Sequence, residues 1–159
     1  MATLRADSAP RIGAQGYPVM LIPYASAETL AEMAAGVGAY RSAFVGAGGL
    51  PEAATVPFGF HVHCAESTAQ ARAEARECME RYVRTRLYAV PRSFDTLVEQ
   101  DVVAFGDPEE IVRVARRYEA AGFTHLLAIN NFGGLPHKQV LRSMELMARH
   151  VLPRFESPS

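Results

Sequence analysis

The sequence has no tryptophan, only two cysteines and no apolar run long enough to cross a membrane. Cys64 and Cys78 stand alone, without the second pair that a zinc ribbon needs or the CxxC spacing of a redox motif. The apolar stretch 17–24 is far shorter than the ~20 residues that span a bilayer. The first ten residues, MATLRADSAP, lack the apolar core of a signal peptide. We therefore expect reduced cysteines, no bound metal and a cytoplasmic protein without a membrane partner.

A concentration of positive charge is also missing. The chain has 16 Lys and Arg residues against 17 Asp and Glu residues, and these form no basic stripe that could follow a phosphate backbone. Nucleic acid is therefore not an expected partner. With 159 residues, 49% of them hydrophobic, the chain is long enough to bury a core of its own. We expect one domain over residues 1–159.

The apolar pattern alternates between short runs typical of strands and longer runs with helical spacing. This alternation predicts an α/β protein with a parallel sheet. The expected strands lie at 2–6, 17–24, 57–65 and 124–130, with parallel pairing centred on 19–23, 58–64 and 126–130. The last strand is expected to be buried, and 101–106 could add a short one. An irregular excursion near 89–101 has room for one short helix.

Capping residues mark the expected helix starts. Asp107, followed by Pro108 and two glutamates, predicts a helix over 108–120. The other expected N-caps are Ser8, Ser26 and Ser67, the last with Gln70 in a capping box. The helix after Ser26 should bury Leu30, Met33, Val37 and Tyr40. A final helix over 136–151 should have one apolar side, made of Val140, Leu141, Met144, Met147 and Val151.

Periodicity alone leaves two architectures open, a doubly wound sheet and part of a (β/α)₈ barrel. Neither GxGxxG after the first strand nor GxxxxGK[ST] is present, which argues against the usual nucleotide-binding forms of the doubly wound sheet. The residues themselves do not decide further.

The C-terminal third carries a resemblance to a known family. Residues 105–155, which include the run NFGGLPHKQVLRSMELMARHVLPRF, resemble the end of bacterial luciferase-like flavin monooxygenases. The segments DSAPRIGAQGYPVML and FHVHCAESTAQARAEA resemble earlier parts of the same family in the same order. The resemblance covers nearly the whole chain but only the second half of the family's barrel. It implies a parallel (β/α) half-barrel, corresponding to strands five to eight and completed by association.

The same resemblance implies a function. The chain would be a component of a luciferase-like flavin-dependent monooxygenase that uses FMN or a related flavin and dioxygen on a small organic substrate. Its partner would be a second copy or a chain that supplies strands one to four. The alternative is a non-catalytic half-barrel with a ligand-binding or structural role.

The expected cofactor residues lie at the carboxyl ends of the first and last strands, where barrel enzymes place their sites. The family places its flavin phosphate near the turn that holds Arg5 and Ser8, where a hydroxyl, a positive charge and helix N–H groups could bind an anion. Asn131, Gly133 and Gly134 follow the last strand, and glycines allow a close backbone approach to a ligand. The structural alternatives are a plain N-cap at Ser8 and a tight turn at 131–134.

The expected substrate-pocket residues are Tyr24, His61 and His63. Tyr24 ends the second strand, where an aromatic ring could line a pocket or simply pack. His61 and His63 share one face of the third strand because side chains alternate along a strand. They could line the pocket, act as a base or be hydrogen-bonded core histidines, and no third residue makes them a convincing metal site.

Overall fold

The computed structural model of the chain describes residues 2–3, 6–22, 29–86 and 92–155. The chain forms two compact units. The first unit comprises Met1–Phe60, Tyr88–Val90 and Arg117–Leu127, and the second comprises His61–Leu87, Pro91–Arg116 and Ala128–Ser159. The single domain expected over residues 1–159 stays a prediction.

The described residues form strands and helices in alternation. The strands are β1 (Ala2–Thr3), β2 (Met20–Leu21), β3 (Pro57–Cys64), β4 (Ala104–Gly106) and β5 (His125–Ile129). The helices are α1 (Ala9–Ala14), α2 (Leu30–Gly46), α3 (Thr68–Arg84), α4 (Phe94–Glu99), α5 (Pro108–Ala120) and α6 (His137–Leu146). A π turn over Met147–Val151 and a 3₁₀ turn over Leu152–Arg154 extend α6. None of the helices in the described ranges is long and apolar enough to cross a membrane.

A sheet organises the first unit. β1 pairs with β2, and β2 pairs with β3 through Leu21 and Phe58, both in parallel. β5 also pairs with β3, and just before it the Thr124 N–H donates to the Val56 carbonyl at 3.1 Å. The parallel α/β class is therefore confirmed. Of the strands expected at 2–6 and 17–24, the described residues form strand at two positions each, and 4–5 and 23–24 lie outside the described residues.

Helix α2 and a cluster of aromatic rings fill the core of the first unit. The buried side of α2 consists of Met33, Val37, Tyr40 and Phe44, which confirms three of the four residues expected there. Its start is fixed by a capping box between Thr29 and Glu32, whereas Ser26 lies outside the described residues. The Phe58 ring stacks on Tyr118 at 4.6 Å and packs against Phe123 at 4.8 Å.

The second unit is built on the far half of β3. Val62 and Cys64 pair in parallel with Ala104 and Gly106 of β4, so the short strand suggested within 101–106 is confirmed. It begins only at Ala104, because Asp101 adopts the left-handed region at φ 52° and turns the chain. The short helix expected within 89–101 is α4. The Phe105 ring of β4 lies between two further rings, those of Phe94 and Phe132, at 5.6 and 5.4 Å.

The N-cap acceptors expected at Asp107 and Ser67 both form, although the Gln70 side chain donates to Glu74 Oε1 at 2.9 Å and does not complete the expected capping box. An oxygen of Asp107 accepts from the Glu110 N–H at 3.0 Å, and the Ser67 hydroxyl accepts from the Gln70 N–H at 3.2 Å. Ser8 does precede α1, but its hydroxyl donates to the Asp7 carboxylate at 3.2 Å and caps no backbone N–H. The expected capping role of its side chain is therefore wrong.

Two expectations about burial are corrected. β5 was expected to be buried, yet His125, Leu127 and Ala128 are exposed and the other two residues are half-buried. On α6 and its π turn, Leu141 and Met144 are also exposed. The residues of that helix that are buried are Val140, Ser143, Met147 and Val151. The buried face is therefore narrower than the apolar pattern, because an element buries only the side that meets a neighbour.

Candidate functional site

A buried polar network lies at the carboxyl end of β3 in the second unit. His63 is fully buried, and its Nε2 lies 2.7 Å from Glu74 Oε2 on α3. Arg142 of α6 donates from Nη2 to the same carboxylate, at 2.7 Å to Oε1 and 2.5 Å to Oε2. One strand and two helices are thereby joined through a single carboxylate.

The charge state of Glu74 fixes the tautomer of His63. Burial by itself raises the pKa of Glu74, but hydrogen bonds from His63, Gln70 and Arg142 outweigh it, and the pKa lies below its ordinary value. Glu74 is therefore ionised at neutral pH and can only accept. His63 Nε2 must then carry the proton that it donates. The other ring nitrogen, Nδ1, is buried and has no hydrogen-bond partner among the described residues.

The residue next to Arg142 holds the same strand end. The Ser143 hydroxyl is buried and accepts from the Cys64 N–H at 2.8 Å. Cys64 is a free, buried thiol, and burial, with the nearby Asp107 and Glu66 carboxylates, raises its pKa to about 11. The expectation of a reduced packing cysteine is confirmed at both Cys64 and Cys78. Sequence reasoning missed Glu74, Arg142 and Ser143, and the signal available was a serine within an otherwise apolar helix face.

His61 occupies a more apolar environment than His63. It is fully buried, with its ring edge-on to Tyr82 at 4.6 Å and to Phe132 at 5.4 Å. Burial, with a smaller effect from Arg86, lowers the pKa of His61 to about 4. The imidazole is therefore neutral at physiological pH. The contacts of both rings are with α3 or with Phe132, beyond β5. The substrate-pocket role of His61 and His63 stays a prediction.

The loop after β5 packs closely against α3. Gly133 has φ 56°, and a Cβ there would lie 1.7 Å from the Cys78 carbonyl oxygen. The Gly133 carbonyl in turn accepts from Arg81 Nη1 at 3.1 Å. Gly134 has φ 78°, again a conformation that favours glycine. The packing thus accounts for both glycines without a ligand, and the cofactor role of Gly133, Gly134 and the exposed Asn131 stays a prediction.

The turn expected to bind the flavin phosphate carries a negative charge. The Ser8 hydroxyl is engaged by the Asp7 carboxylate, and the helix that follows has only six residues. A carboxylate at this position repels a phosphate, so the described part of the turn does not by itself fit that group. Arg5 and Tyr24 lie outside the described residues.

A cavity of about 440 Å³ lies in the second unit, bordered by the residues that follow β3 and β4 and by the end of α6. Its charged lining residues are Glu66, Asp107, Glu109, His150 and Arg154. Arg154 is occupied, because it donates to both Glu109 oxygens, at 3.2 and 3.0 Å. None of the residues expected at the site lines this cavity. Within the described ranges, no group of three or more His, Cys, Asp or Glu residues could hold a metal ion.

Comparison with known proteins shows which solved structures share the fold. No family model and no curated protein matches the chain. Among solved structures, the monooxygenase RslO1 from Streptomyces bottropensis matches with a TM-score of 0.82 and 26% sequence identity, over 98% of this chain and 47% of that one. The chain is half of a luciferase-like fold.

Other luciferase-like structures agree with this half-barrel. The oxygenating constituent of 3,6-diketocamphane monooxygenase from Pseudomonas putida, in complex with FMN, matches at TM-score 0.71 and 19% identity, over 99% of this chain and 48% of that one. The coenzyme F420 dependent tetrahydromethanopterin reductase of Methanopyrus kandleri matches with a TM-score of 0.67 and 13% sequence identity. The match covers 98% of this chain and 50% of that one. The chain therefore spans about half the length of these luciferase-like structures. The resemblance and the half-barrel expected from the sequence are both confirmed.

Proposed function

We propose that this half-barrel is a component of a luciferase-like flavin-dependent monooxygenase that acts on a small organic substrate with dioxygen. The observation that carries the proposal is the match to the monooxygenase RslO1 over 98% of the chain, at a TM-score of 0.82. One similar structure is in complex with FMN, and another is named as dependent on coenzyme F420. The proposed cofactor is therefore a flavin, either FMN or a related deazaflavin.

The proposed flavin site belongs to an assembled barrel and not to the described residues alone. Asp7 opposes a phosphate beside Ser8, and the Cys78 carbonyl already fills the space beside Gly133. In the proposal, Arg5 and Ser8 lie near the phosphate and Asn131 near the ring, and further groups come from the partner half. The flavin would supply the activation of dioxygen. The protein would position the substrate and exclude water.

A second candidate function is supported by the packing of the predicted site. His63 is held in an ion-paired network and Gly133 fits tightly against α3. Residues with these structural tasks need no ligand to explain them. A non-catalytic half-barrel, with a ligand-binding or structural role, would retain both features and bind no flavin.

A titration with two ligands separates these functions. FMN and riboflavin share the ring and differ in the phosphate, so a side chain that binds the phosphate affects only FMN. Ser8→Ala and Arg5→Ala are expected to weaken FMN binding severalfold and to leave riboflavin unchanged, measured by flavin fluorescence. Ser42→Ala, at an exposed position on α2, is the control.

The titration has two outcomes that would count against parts of the proposal. Equal losses for FMN and riboflavin would contradict the assignment of Arg5 and Ser8 to the phosphate. A chain that binds neither ligand, alone or associated, would favour the non-catalytic half-barrel.

A further inference from the structure

Strand β5 has the composition of a buried strand and the exposure of a surface one. Its sequence, HLLAI, is the near-continuous apolar run typical of a parallel strand covered on both faces. Yet Leu127 is 46% exposed, and its neighbour Ala128 is exposed as well. Successive side chains point to opposite faces of a sheet, so each face of β5 has at least one exposed side chain. This combination indicates a strand that another element covers.

The backbone of β5 also has an open edge. Thr124, directly before the strand, donates its N–H to the carbonyl of Val56, directly before β3. Because peptide groups of successive residues point to opposite sides of a strand, Leu126 and Ala128 direct theirs toward β3. Leu127 directs its N–H and carbonyl the other way. Among the residues that the structure describes, no strand is registered on that side.

This edge lacks the features by which proteins protect an exposed strand. Natural edge strands carry lysine, proline, a bulge or an inward-pointing charge that prevents further pairing. β5 holds neither Lys nor Pro between His125 and Ile129. An edge that is both apolar and unguarded is suited to accept another strand.

The same sheet supplies a matching edge. Within the first unit β1 pairs with β2, β2 with β3, and β3 with β5, so that β1 and β5 each pair with one described strand. The fifth strand, β4, pairs with the other half of β3. The registered pairs β1–β2 and β2–β3 are parallel. The chain spans about half of the luciferase-like structures that it matches, and a barrel of this class has eight parallel strands.

We propose that β5 pairs with β1 of a second copy of this chain, and that β1 pairs with β5 of that copy. A two-fold axis relates the two contacts, which is the usual symmetry of a homodimer. Apart from β4, which pairs with the carboxyl-terminal half of β3, the two copies then contribute eight strands, β1, β2, β3 and β5 from each. Neither β1 nor β5 is left with an open edge. Pairing of β5 with β5 across a two-fold axis would instead be antiparallel and would leave both β1 edges open. The inference rests on the proposed function, whose partner half it identifies as a second copy.

Sedimentation of the whole chain tests the second copy and the edge. The wild-type chain is expected to sediment at about twice 17.3 kDa. Leu127→Lys, which places a charge at the joining edge, is expected to shift it to 17.3 kDa with an unchanged far-UV circular dichroism spectrum. Leu50→Lys is the control, because Leu50 is more exposed, at 63%, and lies outside the strands. A monomeric wild type, or equal behaviour of the two variants, would overturn the proposal.

Disulfide trapping tests which strands meet. L127C is combined in turn with A2C, T3C and L4C, while the native Cys64 and Cys78 are buried and stay free. At least one combination is expected to give a covalent dimer on oxidation, and L127C alone is expected to give none. A covalent dimer of L127C alone, or no dimer from any combination, would overturn the pairing of β5 with β1.

Flavin binding, followed in the same samples, separates this inference from the proposed function. A dimer with the predicted cross-link that binds no flavin would leave the pairing standing and count against the monooxygenase. Flavin bound by a 17.3 kDa monomer would overturn the pairing of β5 with β1 and leave the proposed flavin function standing.

Discussion

Gly133 is where a single residue decides how the loop after β5 packs. A Cβ at Gly133 would overlap the Cys78 carbonyl of α3 at 1.7 Å, and the residue also has φ 56°. Gly48 has φ 91°, but nothing lies within 4 Å of its Cβ position. Both glycines have a backbone conformation that strains other residues, but only Gly133 also has atoms close to its Cβ position. Comparing substitutions at the two positions therefore separates backbone strain from steric overlap.

Gly133→Ala is expected to lower the free energy of unfolding by more than Gly48→Ala. The left-handed backbone costs a non-glycine residue of the order of 1–3 kcal/mol at either position. Overlap with α3 adds roughly another 1–3 kcal/mol at Gly133 alone. Chemical denaturation of both variants measures the difference. Equal losses would show that the contact with Cys78 is not tight.

His61 gives the protein a pH dependence of known sign. Its pKa is lowered to about 4 in the folded chain, against about 6.5 when unfolded. The unfolded state therefore binds more protons between these values, and stability falls as the pH drops through that window. The shift corresponds to ~3 kcal/mol.

His61→Phe keeps a ring between Tyr82 and Phe132 and removes the titrating group. The variant is expected to lose less stability than the wild type when the pH falls from about 6.5 to about 4. Denaturant unfolding across this range, compared with values at pH 7.5, provides the measurement. If the unfolding free energies of the two proteins changed with pH in parallel, His61 would not be a buried neutral histidine with a lowered pKa.

The helices show how far a local pattern reaches. At α5 the Asp107 carboxylate accepts from the Glu110 N–H, and this hydrogen bond is the main reason that the pKa of Asp107 lies below its ordinary value. Asp107→Ala is expected to cost ~1 kcal/mol of unfolding free energy. Ser8→Ala is expected to cost almost nothing, because its hydroxyl caps no backbone group. A matching loss in the two variants, at equal m-values, would refute the distinction.

The elements differ in how well the sequence predicts them, for a physical reason. β3 was predicted closely, since an apolar run between turn-forming segments determines a strand locally. The exposure of β5 and of Leu141 and Met144 was not predicted. An apolar pattern indicates which side chains of a segment are suited to burial. It does not state which neighbour is present to cover it.

The site was harder to predict than the fold because its contacts join distant segments. His63, Glu74 and Arg142 meet across one strand and two helices, at separations that no sequence pattern records. The adjacent glycines at 133 and 134 did indicate a close approach, but the group approached is Cys78 and not a ligand. The half-barrel itself followed from a resemblance spread over most of the chain, and the solved structures confirm it.

For the whole molecule, we propose that this half-barrel binds a flavin in an associated form. Sedimentation velocity with FMN, recorded both at the protein absorbance and at the visible absorbance of the flavin, tests it most directly. We expect the flavin colour to move with a protein species larger than 17.3 kDa. Protein that sediments at 17.3 kDa while all the colour stays behind as free FMN would contradict it.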